Sequence, residues 1–240
     1  MAIRTDDTGF GGLLLLQDPS AFCYGVDAVL LADYCRAQVS DSLLDLGAGN
    51  GAASLIAYGK YRPARVLGIE VQPDAAALAN DSARLNGLSE RMSFLCGDVK
   101  DIRDLVDKNS FSVVICNPPY FEAGRGPKSP SQAANIARCE TTATLEDFVR
   151  AASYALMPAG RFALVHRPSR LPDIFEACRR HGLEPKRFRL VQPKPGEAPN
   201  IALVLAVKGG GKELQADPPL CIRDSDGRYS DALQAIYSRK

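Results

Sequence analysis

A single α/β domain, a largely parallel sheet covered by helices on both faces, follows from three features of the chain. From residue 43 onward, short apolar strand patterns alternate with amphipathic helical ones, and strands separated by helices run parallel. The first of these strands enters a glycine-rich turn, Asp45-Leu46-Gly47-Ala48-Gly49-Asn50-Gly51. The length of 240 residues, with 46 % apolar and 24 % charged, suffices for one such core and falls short of two full domains.

The elements follow in order. Residues 12–17 read as a strand, Asp18-Pro19-Ser20 as a turn, and residues 21–24 as a segment pairing back to form a hairpin. Residues 25–36 read as a helix with Val29, Leu30, Ala32 and Tyr34 on its apolar faces. Strands are predicted over 43–46, 65–70, 92–96, 112–116 and 161–165. A helix over 73–86 opens with proline and closes before Gly87. The pattern over 144–157 is strongly amphipathic, with Thr144 as N-cap and Asp147 three residues later. A helix over 171–181 ends at Gly182. Residues 186–192 and 200–207, joined by a Pro/Gly loop, read as a closing antiparallel hairpin, and a last helix covers 230–237.

Composition removes several function classes. The net charge of +1 excludes a wholly basic surface but not a local basic patch. The longest apolar runs, 13–16 and 201–207, are far too short to span a bilayer, and Asp6, Asp7 and Asp18 bracket the first, unlike a secretion signal. Seven scattered cysteines without a Cys-x-x-Cys pair read as reduced thiols of a cytoplasmic protein. Two histidines, His166 and His181, give little basis for a zinc site or a hydrolase triad. No metal is expected, and both rings are expected to pack or to face solvent.

Two motifs carry chemistry. In the first, Gly47, Gly49 and Gly51 let the backbone turn sharply and approach a ligand, with the following helix beginning near Asn50 so that its amides face it. Glu70 ends the next strand, placed to accept from two ribose hydroxyls. Gly47-x-Gly49-x-x-Ala52 also fits the dinucleotide fingerprint, so a nicotinamide enzyme stays in view. Asp45, two residues before the first glycine, favours S-adenosylmethionine, since a carboxylate there can order the loop and engage the ligand's ammonium group. Asp98, after the third strand, can accept from an adenine amine or cap a helix starting near Val99.

In the second motif, a strand ends directly in Asn117-Pro118-Pro119-Tyr120-Phe121. The prolines stiffen the loop and remove two donors. The Pro118 carbonyl and the Asn117 side-chain oxygen remain as acceptors for the two N–H groups of a planar amine or amide, with Tyr120 and Phe121 as stacking faces. A delocalised nitrogen attacking an activated methyl group needs orientation and no histidine base.

Taken together, Asp45 to Gly51, Glu70, Asp98 and Asn117-Pro118-Pro119-Tyr120 resemble a class I S-adenosylmethionine-dependent methyltransferase of the amino-group type. Tyr24-Gly25-Val26-Asp27-Ala28-Val29-Leu30-Leu31-Ala32, Ala137-Arg138-Cys139-Glu140, Gly160-Arg161-Phe162, Arg167-Pro168, Pro185-Lys186-Arg187 and the tail from Pro218 to Tyr229 resemble the tRNA1(Val) (adenine-37-N6)-methyltransferase family. Cys139 stands where that family's pattern has histidine. The resemblance implies a Rossmann-like fold with a seven-stranded sheet whose last strand is antiparallel, and methyl transfer to N6 of an adenine beside a tRNA anticodon. It implies one domain over 1–240: an N-terminal hairpin and helix (1–40) closing over the cofactor, a core (41–208) and a tail (209–240).

Expected cofactor contacts are Tyr24, Gly25, Asp27, Ala28, Asp45, Gly47, Gly49, Gly51, Glu70, Val71, Asp98, Val99 and Asn117. Asn117, Pro118 and Tyr120 are the expected catalytic residues. Tyr120, Phe121, Arg125, Lys128, Arg138, Lys186 and Arg187 are expected to contact tRNA. The last two lie in the densest basic region, residues 160–200, where nine Lys/Arg face four acids; a solvated surface is the alternative reading. A monomer is favoured. The competing functions are a protein glutamine N5-methyltransferase, whose additional N-terminal domain the 44 residues before Asp45 do not accommodate; a DNA adenine methyltransferase, for whose target-recognition region little chain is spare; a nicotinamide oxidoreductase, which leaves Asn117–Tyr120 unexplained; and a catalytically silent RNA-binding module, which needs none of these acids.

Overall fold

In the computed structural model, which describes residues 3–20, 23–118 and 143–238, the chain opens with β1 (Arg4–Asp7), β2 (Leu14–Gln17) and α1 (Val26–Tyr34). The alternating core follows as β3 (Ser42–Leu46), α2 (Ala52–Tyr61), β4 (Arg65–Glu70), α3 (Pro73–Leu85), β5 (Met92–Cys96), α4 (Ile102–Leu105) and β6 (Phe111–Cys116). It continues with α5 (Leu145–Ala155), β7 (Leu156–His166), α6 (Leu171–Arg180), β8 (Leu183–Gln192), β9 (Ile201–Lys208), β10 (Gln215–Ala216), β11 (Leu220–Cys221) and α7 (Asp231–Ser238).

The main sheet runs β8-β9-β7-β6-β3-β4-β5. Its pairings are parallel from β7 to β5, while β9 is antiparallel to both β7 and β8. These are the seven strands and the inverted last strand that the sequence implies. The described residues add two more strands, β10 and β11, two residues each, both parallel to β8. Pro218-Pro219 separates them, and prolines have no N–H to give the ladder, so this edge pairing stays short.

From β3 the chain first moves outward through β4 and β5, then returns to the other side of β3 as β6. That reversal opens a crevice beyond the carboxyl ends of β3 and β6, where ligands bind in sheets of this type. Side-chain alternation divides the core in two. Leu43, Val113, Ile115, Ala163 and Val165 pack with α1, α2 and α3, whereas Leu44, Leu46, Val114, Cys116 and Phe162 pack with α5 and α6. The predicted cap of α5 forms a full capping box: Thr144 Oγ1 accepts from Asp147 N, and Asp147 Oδ2 accepts from Thr144 N at 2.9 Å.

The N-terminal hairpin differs from the expectation. The partner of β2 is β1, which precedes it, not the segment 21–24; of that segment, 21 and 22 lie outside the described residues. The turn between the strands uses Gly9, Gly11 and Gly12, all at positive φ, a conformation that non-glycine residues adopt with strain. Side chains at the C-terminal end of α3, Ser82 within it and Asn86 capping it, satisfy the outer edge of β2. Asn86 Oδ1 accepts from Leu14 N at 2.8 Å, its Nδ2 donates to Leu14 O at 2.6 Å, and Ser82 Oγ accepts from Leu16 N at 3.0 Å.

Gly68 on β4 pairs with Asp45 and lies under the Phe94 ring. A Cβ at Gly68 would come within 2.6 Å of Phe94 Cε1 and 2.9 Å of Ala48 Cβ. Gly68→Ala is therefore expected to destabilise the fold by about 1–3 kcal/mol through overpacking. Denaturant unfolding checks this: the midpoint should fall with an unchanged slope.

Candidate active site

Parallel pairing of Leu46 with Cys116 brings the turn after β3 and the Asn117-Pro118 segment after β6 side by side, about 4.8 Å apart in the ladder direction. The turn itself is fixed from β4. Gly47 N and Ala48 N both donate to Ile69 O, at 2.9 and 3.0 Å, and Gly49 N donates to Glu70 Oε2 at 2.9 Å. The other oxygen of Glu70 accepts from Gln72 N at 2.9 Å. All three turn glycines have positive φ, as the sequence predicts. A side chain at Gly51 would strike Phe94, whereas a Cβ at Gly49 would meet only open space, so Gly49 is bare backbone facing the crevice. Gly51 caps α2, which starts at Ala52, two residues later than expected.

Asp45 is 2 % exposed and accepts from Ser54 Oγ at 2.8 Å. Burial pushes its pKa up to about 7, with a further push from Glu70 and a pull downward from Ser54. Glu70 is also buried. Two buried carboxyl groups beside open backbone are suited by their chemistry to a ligand that carries a cation and hydroxyls.

Asp98 takes the capping role weighed above: its Oδ1 accepts from Lys100 N at 2.9 Å, it precedes a 3-10 turn at Val99–Asp101, and its Oδ2 lies 3.2 Å from Lys100 Nζ. Gly97 N donates to Glu70 O, so Asp98, just past the end of β5, lies beside the end of the Glu70 strand. Val99 is buried and Val71 is half-buried beside the same strand ends.

On the other side of the crevice, Asn117 Nδ2 donates to Asp27 Oδ2 at 3.3 Å, across 90 residues of sequence. Pro118 is buried. Tyr24 is partly buried, and its backbone N–H donates to Gln17 Oε1 at 3.2 Å. Burial raises the pKa of the Tyr24 hydroxyl, and Asp6 and Asp7 add to the rise. Sequence reading overlooked Gln17. It is buried at the end of β2, and its Oε1 also lies 3.5 Å from Asn50 Nδ2, so it ties the N-terminal hairpin to the glycine turn. Nothing in a strand-terminal glutamine marks that role. Ser54, one helical turn past the glycines, was readable in retrospect as the partner a buried acid requires.

Pro119, Tyr120, Phe121, Arg125, Lys128, Arg138 and Cys139 lie outside the described residues. Lys186 and Arg187 are not brought to the crevice. They sit partway along β8, which is separated from β6 by β9 and β7. Lys186 Nζ donates to the carbonyls of Gly211 and Lys212, and Arg187 is paired with buried Asp217 at 2.7 Å. Arg179 and Arg180 are likewise paired, with Glu184, Glu146 and Glu176. Part of the positive charge in this stretch is thus paired within the protein, by the near acids Glu176 and Glu184 and by the distant Glu146 and Asp217.

Burial and the nearby Arg170 and Arg167 lower the pKa of His166 to about 4, and its Nδ1 accepts from Arg167 N at 2.8 Å. His181 lies 3.0 Å from Glu146. Among the described residues, no group of three or more His, Cys, Asp or Glu side chains is placed to hold a metal ion, and no helix is long and apolar enough to cross a membrane.

A methyltransferase domain family model matches residues 38–179. The tRNA1(Val) (adenine(37)-N6)-methyltransferase of Porphyromonas gingivalis is 31 % identical over 205 residues, covering 83 % of this chain and 80 % of that protein. The protein of the same name from Shewanella halifaxensis is 29 % identical, covering 88 % of each. Among solved structures, a predicted O-methyltransferase from Agrobacterium tumefaciens superposes with a TM-score of 0.73 at 26 % identity, over 89 % of this chain and 96 % of that one. The geranyl diphosphate methyltransferase solved with S-adenosylmethionine shares the fold, with a TM-score of 0.58 at 16 % identity over 76 % and 84 % of the two chains.

Asp45 gives the site a pH signature in stability. Below about pH 3.8, its ordinary value, the carboxyl is neutral both folded and unfolded; above it, the unfolded chain ionises first. This group's contribution to stability is therefore full at low pH, falls as pH rises, and levels off above about 7. Denaturant titrations from pH 4 to 8 should show the wild type losing stability relative to Asp45→Asn across that window, with a constant difference above it.

Proposed function

Because the chain belongs to the tRNA1(Val) (adenine(37)-N6)-methyltransferase family, we propose that it transfers the methyl group of S-adenosylmethionine to N6 of an adenine in tRNA, beside the anticodon. The observation that carries this reading is the juxtaposition, across one crevice, of the turn held by Glu70 and the oriented amide of Asn117.

The residues fit the cofactor. Asp45 would face its ammonium group, Glu70 its ribose hydroxyls and the bare backbone at Gly49 its closely packed body. Asp98 would accept from the adenine amine while keeping its backbone cap, since each carboxylate oxygen has more than one lone pair. Val71 and Val99 would flank the adenine, with Tyr24, Gly25 and Ala28 on the opposite wall. S-adenosylmethionine supplies a methyl group already activated on a sulfonium: as the N6 lone pair forms the new C–N bond, the C–S pair goes to sulfur, and a proton leaves N6 for solvent.

The chain's own part is orientation. The Asn117 side-chain oxygen and the Pro118 carbonyl accept from the two N6–H groups and favour pyramidal geometry at nitrogen, where positive charge develops. Tyr120 and Phe121 stack on the extruded base, which cannot align with the methyl group inside a stacked loop. Arg125, Lys128 and Arg138 meet backbone phosphates. The protein works in the cytoplasm, where its tRNA substrate is.

Incubation with labelled S-adenosylmethionine and total tRNA, followed by nucleoside mass spectrometry, should yield N6-methyladenosine. Its absence, with label in protein glutamine, would replace this reading with the glutamine one. Glu70→Ala should weaken S-adenosylmethionine binding by about 1.5–3 kcal/mol in calorimetry. Asn117→Ala should lower kcat on the order of 100-fold with cofactor affinity nearly unchanged. An equal loss in both quantities would make Asn117 structural.

A further inference from the structure

We infer that Asp27 is a positioning residue that sets which face of the Asn117 amide meets the substrate nitrogen, rather than a ligand of the cofactor. The inference rests on the methyl-transfer reading above. An asparagine amide has two nearly isosteric orientations with opposite chemistry, one presenting oxygen and the other NH2. Only the oxygen accepts from an amine; the NH2 group would set donor against donor and push the nucleophile away. The planar amide therefore needs a neighbour that distinguishes its two ends.

Asp27 is such a neighbour. An ionised carboxylate only accepts, so its contact with Asn117 Nδ2 at 3.3 Å is favourable in one orientation alone. In the flipped state, two oxygens would face each other. Nδ2 is thereby directed to Asp27, leaving Oδ1 for the substrate.

Three features hold the carboxylate in place. Asp27 lies in the first turn of α1, and its Oδ1 accepts from Ala28 N at 3.0 Å. From Ala28 to Tyr34 that helix is buried, so its start cannot drift. At Gly25, a Cβ would stand 2.9 Å from Asp27 Oδ1. The backbone there has ordinary extended dihedrals, so a side chain at this position would press on the carboxylate rather than strain φ.

The test measures kcat, KM for tRNA and the calorimetric Kd for S-adenosylmethionine in wild type, Asp27→Ala and Asp27→Asn. Asp27→Ala should lower kcat roughly 10- to 100-fold, the scale of a misplaced reacting group, with Kd within twofold. Asp27→Asn should recover part of that loss, because its oxygen can still accept from Asn117 although its NH2 group also permits the flip. A rise in Kd that matches the loss in kcat would make Asp27 a cofactor ligand and overturn the inference, as would full turnover in Asp27→Ala.

A second readout needs no activity. The Asn117 side-chain NH2 signal in NMR, assigned by its absence in Asn117→Ala, should shift and exchange faster with solvent in Asp27→Ala; an unchanged signal overturns the inference. If wild type makes no N6-methyladenosine while this signal responds to Asp27, the methyl-transfer reading has failed and the positioning contact stands.

Discussion

Gly49 donates its backbone N–H to Glu70, 21 residues further along the chain, while Gly47 and Ala48 donate theirs to the carbonyl of Ile69. These bonds join the turn after β3 to the end of β4 and settle where three successive loop amides go. The remaining site geometry hangs on them. With the turn fixed, Gly51 reaches the positive φ that starts α2, Ser54 falls within reach of Asp45, and Gly49 faces the crevice. Each such bond contributes about 1 kcal/mol net, and the one to a buried carboxylate more. Without Glu70 the turn would lose a charged acceptor, and on the proposed function a ligand contact as well, which would couple cofactor affinity to loop order through one side chain.

Burying Asp45 opposes folding, since its carboxyl is held near neutrality inside the sheet. An apolar residue there would match Leu43 and pack against α2 as its neighbours do. A conflict of this kind, within an otherwise consistent apolar face, falls where sequences depart from packing rules for function. Its value to the site is poise: a carboxyl that titrates near neutral pH ionises fully once a cation is placed beside it.

Much of this was legible in the residues because it is local. The glycine turn, the proline at the start of α3 and the Thr144 cap are each encoded within a few positions, and the structure realises all three. What escaped is non-local. The hairpin partner of β2 lay upstream, past a turn whose glycines resemble flexible linker until paired. The 160–200 stretch reads as a basic patch because counting charge along a chain does not reveal that Asp41, Glu146 and Asp217 return to pair with its arginines. Asp27 was readable as part of a motif, but its partner 90 residues away was not.

The same non-local contacts explain how a short N-terminal helix serves as a fixed wall of the site. The C-terminal half of α1 is fastened by polar bonds to distant elements. Tyr34 donates to Asp217 at 2.8 Å, and Asp217 is held by Arg187; Asp33 pairs with Lys60 at 3.1 Å, and Tyr61 donates to its carbonyl at 3.0 Å. Lys60 also donates to Ile236 O in α7, so the tail is drawn into the same cluster. Breaking one partner of a buried pair leaves an uncompensated charge, which makes such fastenings costly to open. On the proposed chemistry, the tail and β8 thus act at a distance. They anchor one end of α1, and the rigid helix carries that anchorage to Asp27 at its other end, where the Asn117 amide is held.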